Sequence, residues 1–213
     1  MLFHLIRTQF RIALSKTGAA AILFTAATAL YADVRGLDWY ASAVVLERFV
    51  SLTGLILIAS VFLPEQDRGI RELVGAKAFS FNKIIMTRLF LAVAICFLLI
   101  AALAFVMMMC GSRFPAGAYI FGAFATALFI GALGFGVSGI SGNTIAGYLV
   151  AVAYFFMNMM EAPKDSALYL FSLSGGNGYS KPTILIIACA MIALTFAVRA
   201  LRGSGKRGAG ILR

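Results

Sequence analysis

The side chains from which proteins usually build catalysis are scarce in this chain. Its one histidine, His4, stands at the N-terminal end, so a His-based metal centre and a Ser–His or Cys–His nucleophile pair both lack their base. The three cysteines, Cys96, Cys110 and Cys189, sit in or at the edge of long apolar runs, where a free thiol acts as a small hydrophobe, and packing is expected of them rather than a disulfide. An enzyme working through paired carboxylates needs two acids together in the interior, and Glu47 and Glu161 fall at the ends of apolar runs. No catalytic residue, metal site or cofactor of its own is expected.

The motifs that resemble phosphate sites fare no better. Gly134-Phe135-Gly136-Val137-Ser138-Gly139 has the spacing G-x-G-x-x-G but lies within an apolar run, without the strand before it that a dinucleotide site requires. Small residues four apart there, such as Ala123 with Ala127 and Ala132 with Gly136, instead let helices approach closely. Gly203-Ser204-Gly205-Lys206 fails as a phosphate loop because Ala200 and Arg207 stand where glycine and Ser or Thr are needed. Met107-Met108-Met109 and Met157, Met159 and Met160 carry soft thioethers that suit Cu(I), yet methionine is also an ordinary gap-filler, and packing is the expectation. Asn158, with Tyr154 nearby, is a polar position inside an apolar run and a candidate pathway residue.

The elements that hold these residues are membrane elements. Of 213 residues 62% are hydrophobic and 12% charged, against about half and a quarter in ordinary soluble domains. The apolar residues come in blocks, and crossing the hydrocarbon takes about 20 helical residues. Lipid admits only helices or closed barrels, and the blocks are too long and uniform for barrel strands. The expected fold is therefore all-α, a single polytopic membrane domain over residues 1–213 with six transmembrane helices, at about 17–32, 45–63, 84–110, 116–140, 144–160 and 183–201. Residues 1–16 read as an amphipathic elbow at the interface, with His4, Arg7, Arg11 and Ser15 on one face and Phe3, Ile6, Phe10 and Ala13 beside it. The block at 17–32, with Ala27-Thr28-Ala29 near its end, has some features of a signal peptide, but the amphipathic lead favours a retained helix.

Charge sets the expected orientation. Of eighteen basic residues, thirteen fall in the N-terminal segment, the region from Arg68 to Arg88 and the tail from Arg199. The remaining five, Arg35, Arg48, Arg113, Lys164 and Lys181, are balanced by acids on their own side, so the excess of +10 lies on the first side. The positive-inside bias then places both termini in the cytoplasm of a multi-pass protein of the cell membrane. Cations facing anionic headgroups account for the basic character without a nucleic-acid partner.

One segment departs from this lean design. Residues 65–83 carry seven charges, whereas 141–143 make the equivalent join in three residues. Glu65-Gln66-Asp67-Arg68-Gly69-Ile70-Arg71-Glu72-Leu73-Val74 reads as a short cytoplasmic helix suited to docking another protein. Here the chain resembles the type 2 permease subunits of ABC exporters, which carry an acid, a glycine, a Glu-Leu pair and a Lys-Pro turn after the second span. The matching residues are Glu65, Gly69, Glu72-Leu73, Lys77, Ser80, Lys83 and Arg88, and Ala78 replaces the usual proline. The resemblance implies an ATPase-coupling helix with Glu65, Asp67, Arg68, Gly69, Arg71, Glu72, Lys77 and Ser80 as contacts. It also implies separate ABC ATPase subunits that bind ATP and Mg, and a second permease chain, same or different. The substrate expected is hydrophobic or peptide-like. The competing expectations are a stand-alone secondary carrier or channel, and an intramembrane enzyme or immunity-type accessory protein.

Overall fold

The computed structural model describes residues 14–66, 81–160, 166–176, 178 and 180–209. Among these the chain is all-helical apart from its connections. A π-helical turn, Leu14–Gly18, leads into α1 (Ala19–Tyr31). α2 (residues 39–66) is continuous but uneven, with a π-helical stretch at Val45–Val50 and a 3-10 end at Ala59–Gln66. Then come α3 (Phe81–Met109), α4 (Ala116–Ser141), α5 (Thr144–Met160) and α6 (Ser180–Ala209).

Four of these helices are long and apolar enough to cross a membrane: Trp39–Pro64, Asn82–Met109, Ala116–Ser141 and Ser180–Leu201. The first expected span appears as α1 continuous with the π-helical turn before it, and the fifth as a helix of 17 residues, short of the roughly 20 that a full crossing takes. Boundaries shift where a cap was not weighed. Asp38 accepts the Ala41 N–H at 2.9 Å, an N-cap that starts α2 at Trp39 instead of residue 45. α6 begins at Ser180 rather than 183. The fifth block matches its expected limits, and its turn is built as the polar residues dictate. Gly142 takes the left-handed conformation at φ 72° to end α4, and Asn143 Oδ1 accepts from Ile145 N–H at 2.9 Å to start α5. The expected elbow at 1–16 falls outside the described residues except for its last turn.

Successive helices alternate in direction. At one end the connection after α1 meets the one after α3: Ser112 Oγ donates to Val34 O at 3.0 Å and accepts from Leu37 N–H at 3.1 Å, and Gly36 N–H bonds Cys110 O. At the opposite end the Arg199 guanidinium reaches Gly139 O at 3.3 Å and lies 4.6 Å over the Phe62 ring.

The core is a sleeve around α4, which packs on α2, α3, α5 and α6. α2 and α4 have 72% of the residues in their most apolar stretch buried and α6 only 17%; α6 packs on the core through Ile184, Ala188 and Phe196 and exposes Ile186, Leu194 and Leu201. Glycine makes the close approach feasible, as the sequence pattern implied. A Cβ on Gly131 would lie 2.7 Å from Gly54 O, and one on Gly134 would lie 2.7 Å from the Ala59 methyl. Phe62 and Phe135 stack at 4.6 Å between α2 and α4. The cysteines are free: Cys96 is buried 3.6 Å from Thr53 Oγ1, while Cys110 and Cys189 are exposed. Of the methionines at 107–109, Met107 enters the core and the other two are exposed, as are Met157, Met159 and Met160.

Candidate functional site

The most unusual chemistry lies where α2, α4, α5 and α6 surround the segment Ser166–Gly176, which runs between α5 and α6. In sequence this stretch reads as part of a Gly- and Ser-containing outer loop. In the structure Leu170 and Phe171 are 0% exposed, and Tyr169, Ser172 and Leu173 are buried with them. Non-helical backbone at membrane depth is tolerated only when protein supplies its hydrogen bonds. Here it does so with side chains.

Glu47 is the main contributor. It lies in the π-helical stretch of α2, about 12 Å along the helix from Trp39 at 1.5 Å per residue, and its side chain is fully buried. Its carboxylate accepts the N–H groups of Leu173 at 3.0 Å and Ser174 at 2.9 Å. The same carboxylate pairs with the Lys181 ammonium at 2.5 Å. Lys181, in the first turn of α6 and 2% exposed, spends its three donors on three acceptors: Glu47 Oε1, Thr126 Oγ1 at 2.8 Å and Leu170 O at 2.5 Å. Thr126, on α4, donates its own hydroxyl to Gly122 O at 3.0 Å. π-helical turns arise where a helix must aim a side chain that a regular α-helix would misplace, and they recur at functional sites. The one at Val45–Val50 aims Glu47 into the bundle.

Asn158 and Tyr154, the candidate pathway residues, belong to the same assembly. Asn158 Oδ1 accepts from Leu170 N–H at 3.2 Å while its amide donates to Tyr154 O at 3.1 Å, and Tyr154 Oη donates to Leu168 O at 3.0 Å. Arg48 lies 5.5 Å from the Phe171 ring centre. At the far end of the segment Ser180 Oγ donates to Ser172 Oγ at 2.7 Å. Burial pushes the Tyr169 phenol above its ordinary value; nearby Arg48 partly opposes this and Glu47 adds to it.

Sequence reasoning placed Glu47 at a span end and Lys181 outside the last span. The Asp38 cap and the earlier start of α6 move both inside helices of membrane-crossing length, so the expectation of Glu47 as a boundary residue is corrected. The available signal was a lone acid and a lone base next to apolar runs; their partnership, 134 positions apart, carried none. Of the expected ATPase contacts, Glu65 is placed as backbone in the 3-10 end of α2. Asp67, Arg68, Gly69, Arg71, Glu72, Lys77 and Ser80 lie outside the described residues. Among the described residues no three His, Cys, Asp or Glu side chains gather in a metal-binding group. Comparison with protein-family models, curated proteins and solved structures returns no match.

Proposed function

We propose that this chain is the membrane subunit of an ATP-driven exporter of the type 2 ABC permease kind, exporting a hydrophobic or peptide-like substrate. The observation that carries the reading is an asymmetry at one end of the bundle. There α4 passes to α5 through Gly142 and Asn143, while α2 passes to α3 through a long charged segment with the residues of a coupling helix. A join alone needs no such length. A surface for another protein does.

In this reading all six helices cross, the shorter α1 and α5 included, and the thirteen-cation end faces the cytoplasm of the cell membrane. ABC ATPase subunits holding ATP and Mg dock on Glu65, Asp67, Arg68, Gly69, Arg71, Glu72, Lys77 and Ser80. The outward apolar faces of α3 and α6 meet lipid and a second permease chain. ATP-driven closure of the ATPases moves the coupling helix, and the close α2–α4 contact at Gly54 and Gly131 carries that motion into the core. Each step is a population shift driven by differential contacts. The chain itself performs no catalysis.

A stand-alone carrier or channel is the second reading, and the Glu47–Lys181 pair favours it, since ionisable residues inside membrane helices are costly and mark transport routes. A mild-detergent pull-down of the tagged chain from its native membrane separates the two. A stoichiometric ATPase that is lost on mutating Glu65 to Glu72 supports the exporter. An ATPase-free protein whose flux in vesicles depends on Glu47 supports the carrier.

A further inference from the structure

Tyr169-Leu170-Phe171-Ser172-Leu173 is a mainly apolar stretch that forms no helix, yet it is buried among helices. Its apolar side chains share the core: Tyr169, Leu170, Phe171 and Leu173 are buried with the helix residues, the Phe171 ring lies 5.4 Å from that of Phe155, and Leu173 packs against Gly122 of α4. The helices also meet one another directly, at Gly54, Gly131, Gly134 and Gly147. The backbone of the segment is tied by side chains: Glu47 from α2, Lys181 from α6 with Thr126 of α4, and Asn158 and Tyr154 from α5. Backbone held by side-chain bonds rather than by a ladder belongs to the part of a structure that opens at lower cost than its helices unfold.

The choice of a buried ion pair as the central tie is informative. Replacing such a pair with apolar residues of equal volume is commonly neutral or stabilising, so stability alone does not explain its presence. A buried pair does suit an element with two states, because the charges hold one arrangement firmly and are rehydrated in the other. The π-helical turn that aims Glu47 at the segment adds local geometry of the same kind.

We propose that Ser166–Gly176 is a strap that closes this end of the helix bundle and leaves it during the transport cycle, with the Glu47–Lys181 pair as its latch. Its purpose rests on the transport reading, while its motion does not. With the strap withdrawn, the vacated volume is faced by Glu47, Thr126, Asn158 and Lys181, which places one carboxylate, one ammonium and one amide on an otherwise apolar wall.

The test is accessibility. In a chain with Cys96, Cys110 and Cys189 replaced by alanine, Leu170→Cys puts a thiol at a position 0% exposed in the closed form. Its labelling rate with a membrane-impermeant maleimide reports strap opening. Adding Glu47→Gln is expected to speed labelling about tenfold or more, as loss of one buried charge partner weakens closure. Because Ser172 Oγ and Ser180 Oγ are 2.7 Å apart, Ser172→Cys with Ser180→Cys provides an oxidisable clamp. For this arm the clamp is oxidised before labelling, which occupies both clamp thiols, and the labelling rate of Leu170→Cys in the Glu47→Gln background is expected to fall back to that of the parent. A labelling rate unchanged by Glu47→Gln, or one that ignores the oxidised clamp, overturns the proposal. Both readouts use the permease alone, so absence of a co-purifying ATPase would sink the exporter reading and leave them intact.

Discussion

Removing Lys181 from the pair is the perturbation whose size follows most directly from the structure. Lys181→Met keeps the length and apolar stem of the side chain and deletes the ammonium, which leaves Glu47 fully buried without its countercharge. The two N–H bonds from Leu173 and Ser174 are present before and after, so they do not offset the loss. Breaking a buried pair by removing one partner costs about 3–5 kcal/mol, and the lower end applies here because polar interactions inside membrane proteins run weaker than expected. At about 2–4 °C per kcal/mol for a chain of this size, a loss of about 3 kcal/mol lowers the melting temperature by roughly 6–12 °C. Glu47→Gln should cost a similar amount by stranding the ammonium. The double variant Glu47→Gln with Lys181→Met buries no charge, and its glutamine carbonyl still accepts from the strap, so it should lose only about 1 kcal/mol. The assay is a double-mutant cycle on purified protein, following thermal unfolding by loss of the monodisperse peak. A double variant as damaged as the sum of the singles, or a Lys181→Met protein within about 0.5 kcal/mol of the parent, would refute the account of this pair.

Other expectations are simpler to state. If the exporter reading holds, Glu72→Lys reduces substrate-stimulated ATP hydrolysis by the chain reconstituted with its ATPase while leaving membrane insertion unchanged, read by ATPase assay and by fractionation. Gly131→Val should destabilise by about 2–3 kcal/mol or more, because its Cβ would meet Gly54 O and the Ile58 side chain at 2.7 Å. Gly117→Ala in the same helix meets nothing within 4 Å and should be neutral or stabilising by up to about 1 kcal/mol, so thermal unfolding should separate the two glycines. Cys110, exposed beside the connection after α1, should react with an impermeant maleimide added outside intact cells if both termini are cytoplasmic as proposed, and protection there would count against that orientation.

The parts of this fold that were legible in the sequence are those written locally. A run of apolar residues states its own helix, Gly142 and Asn143 state their turn, and small residues around Gly134 announce close packing. Helix starts were misjudged where a single side chain decides them, as Asp38 does for α2. The buried pair was invisible for a different reason. Glu47 and Lys181 each sit near the edge of an apolar block, where a solvated charge and a buried one look alike until the partner is known. The strap was missed because Ser172, Ser174, Gly175 and Gly176 suggest a solvated loop, while the apolar Leu168-Tyr169-Leu170-Phe171 within it was the signal that pointed inward. Asn158 and Tyr154 were singled out for lying polar in an apolar run, and the structure gives them the strap as their partner.

The 3-10 winding of Ala59–Gln66 has a mechanical consequence. At about 2.0 Å per residue against 1.5 Å in an α-helix, these eight residues are about 4 Å longer than their α-helical equivalent and wound by roughly half a turn more. Pro64, within this stretch, has no N–H to give and would press on the carbonyl four residues back if the coil relaxed. The lower end of α2 is thus an overwound screw with a proline set in its thread. Phe62, in the same stretch, stacks on Phe135 and so joins this wound end of α2 to the centre of the bundle.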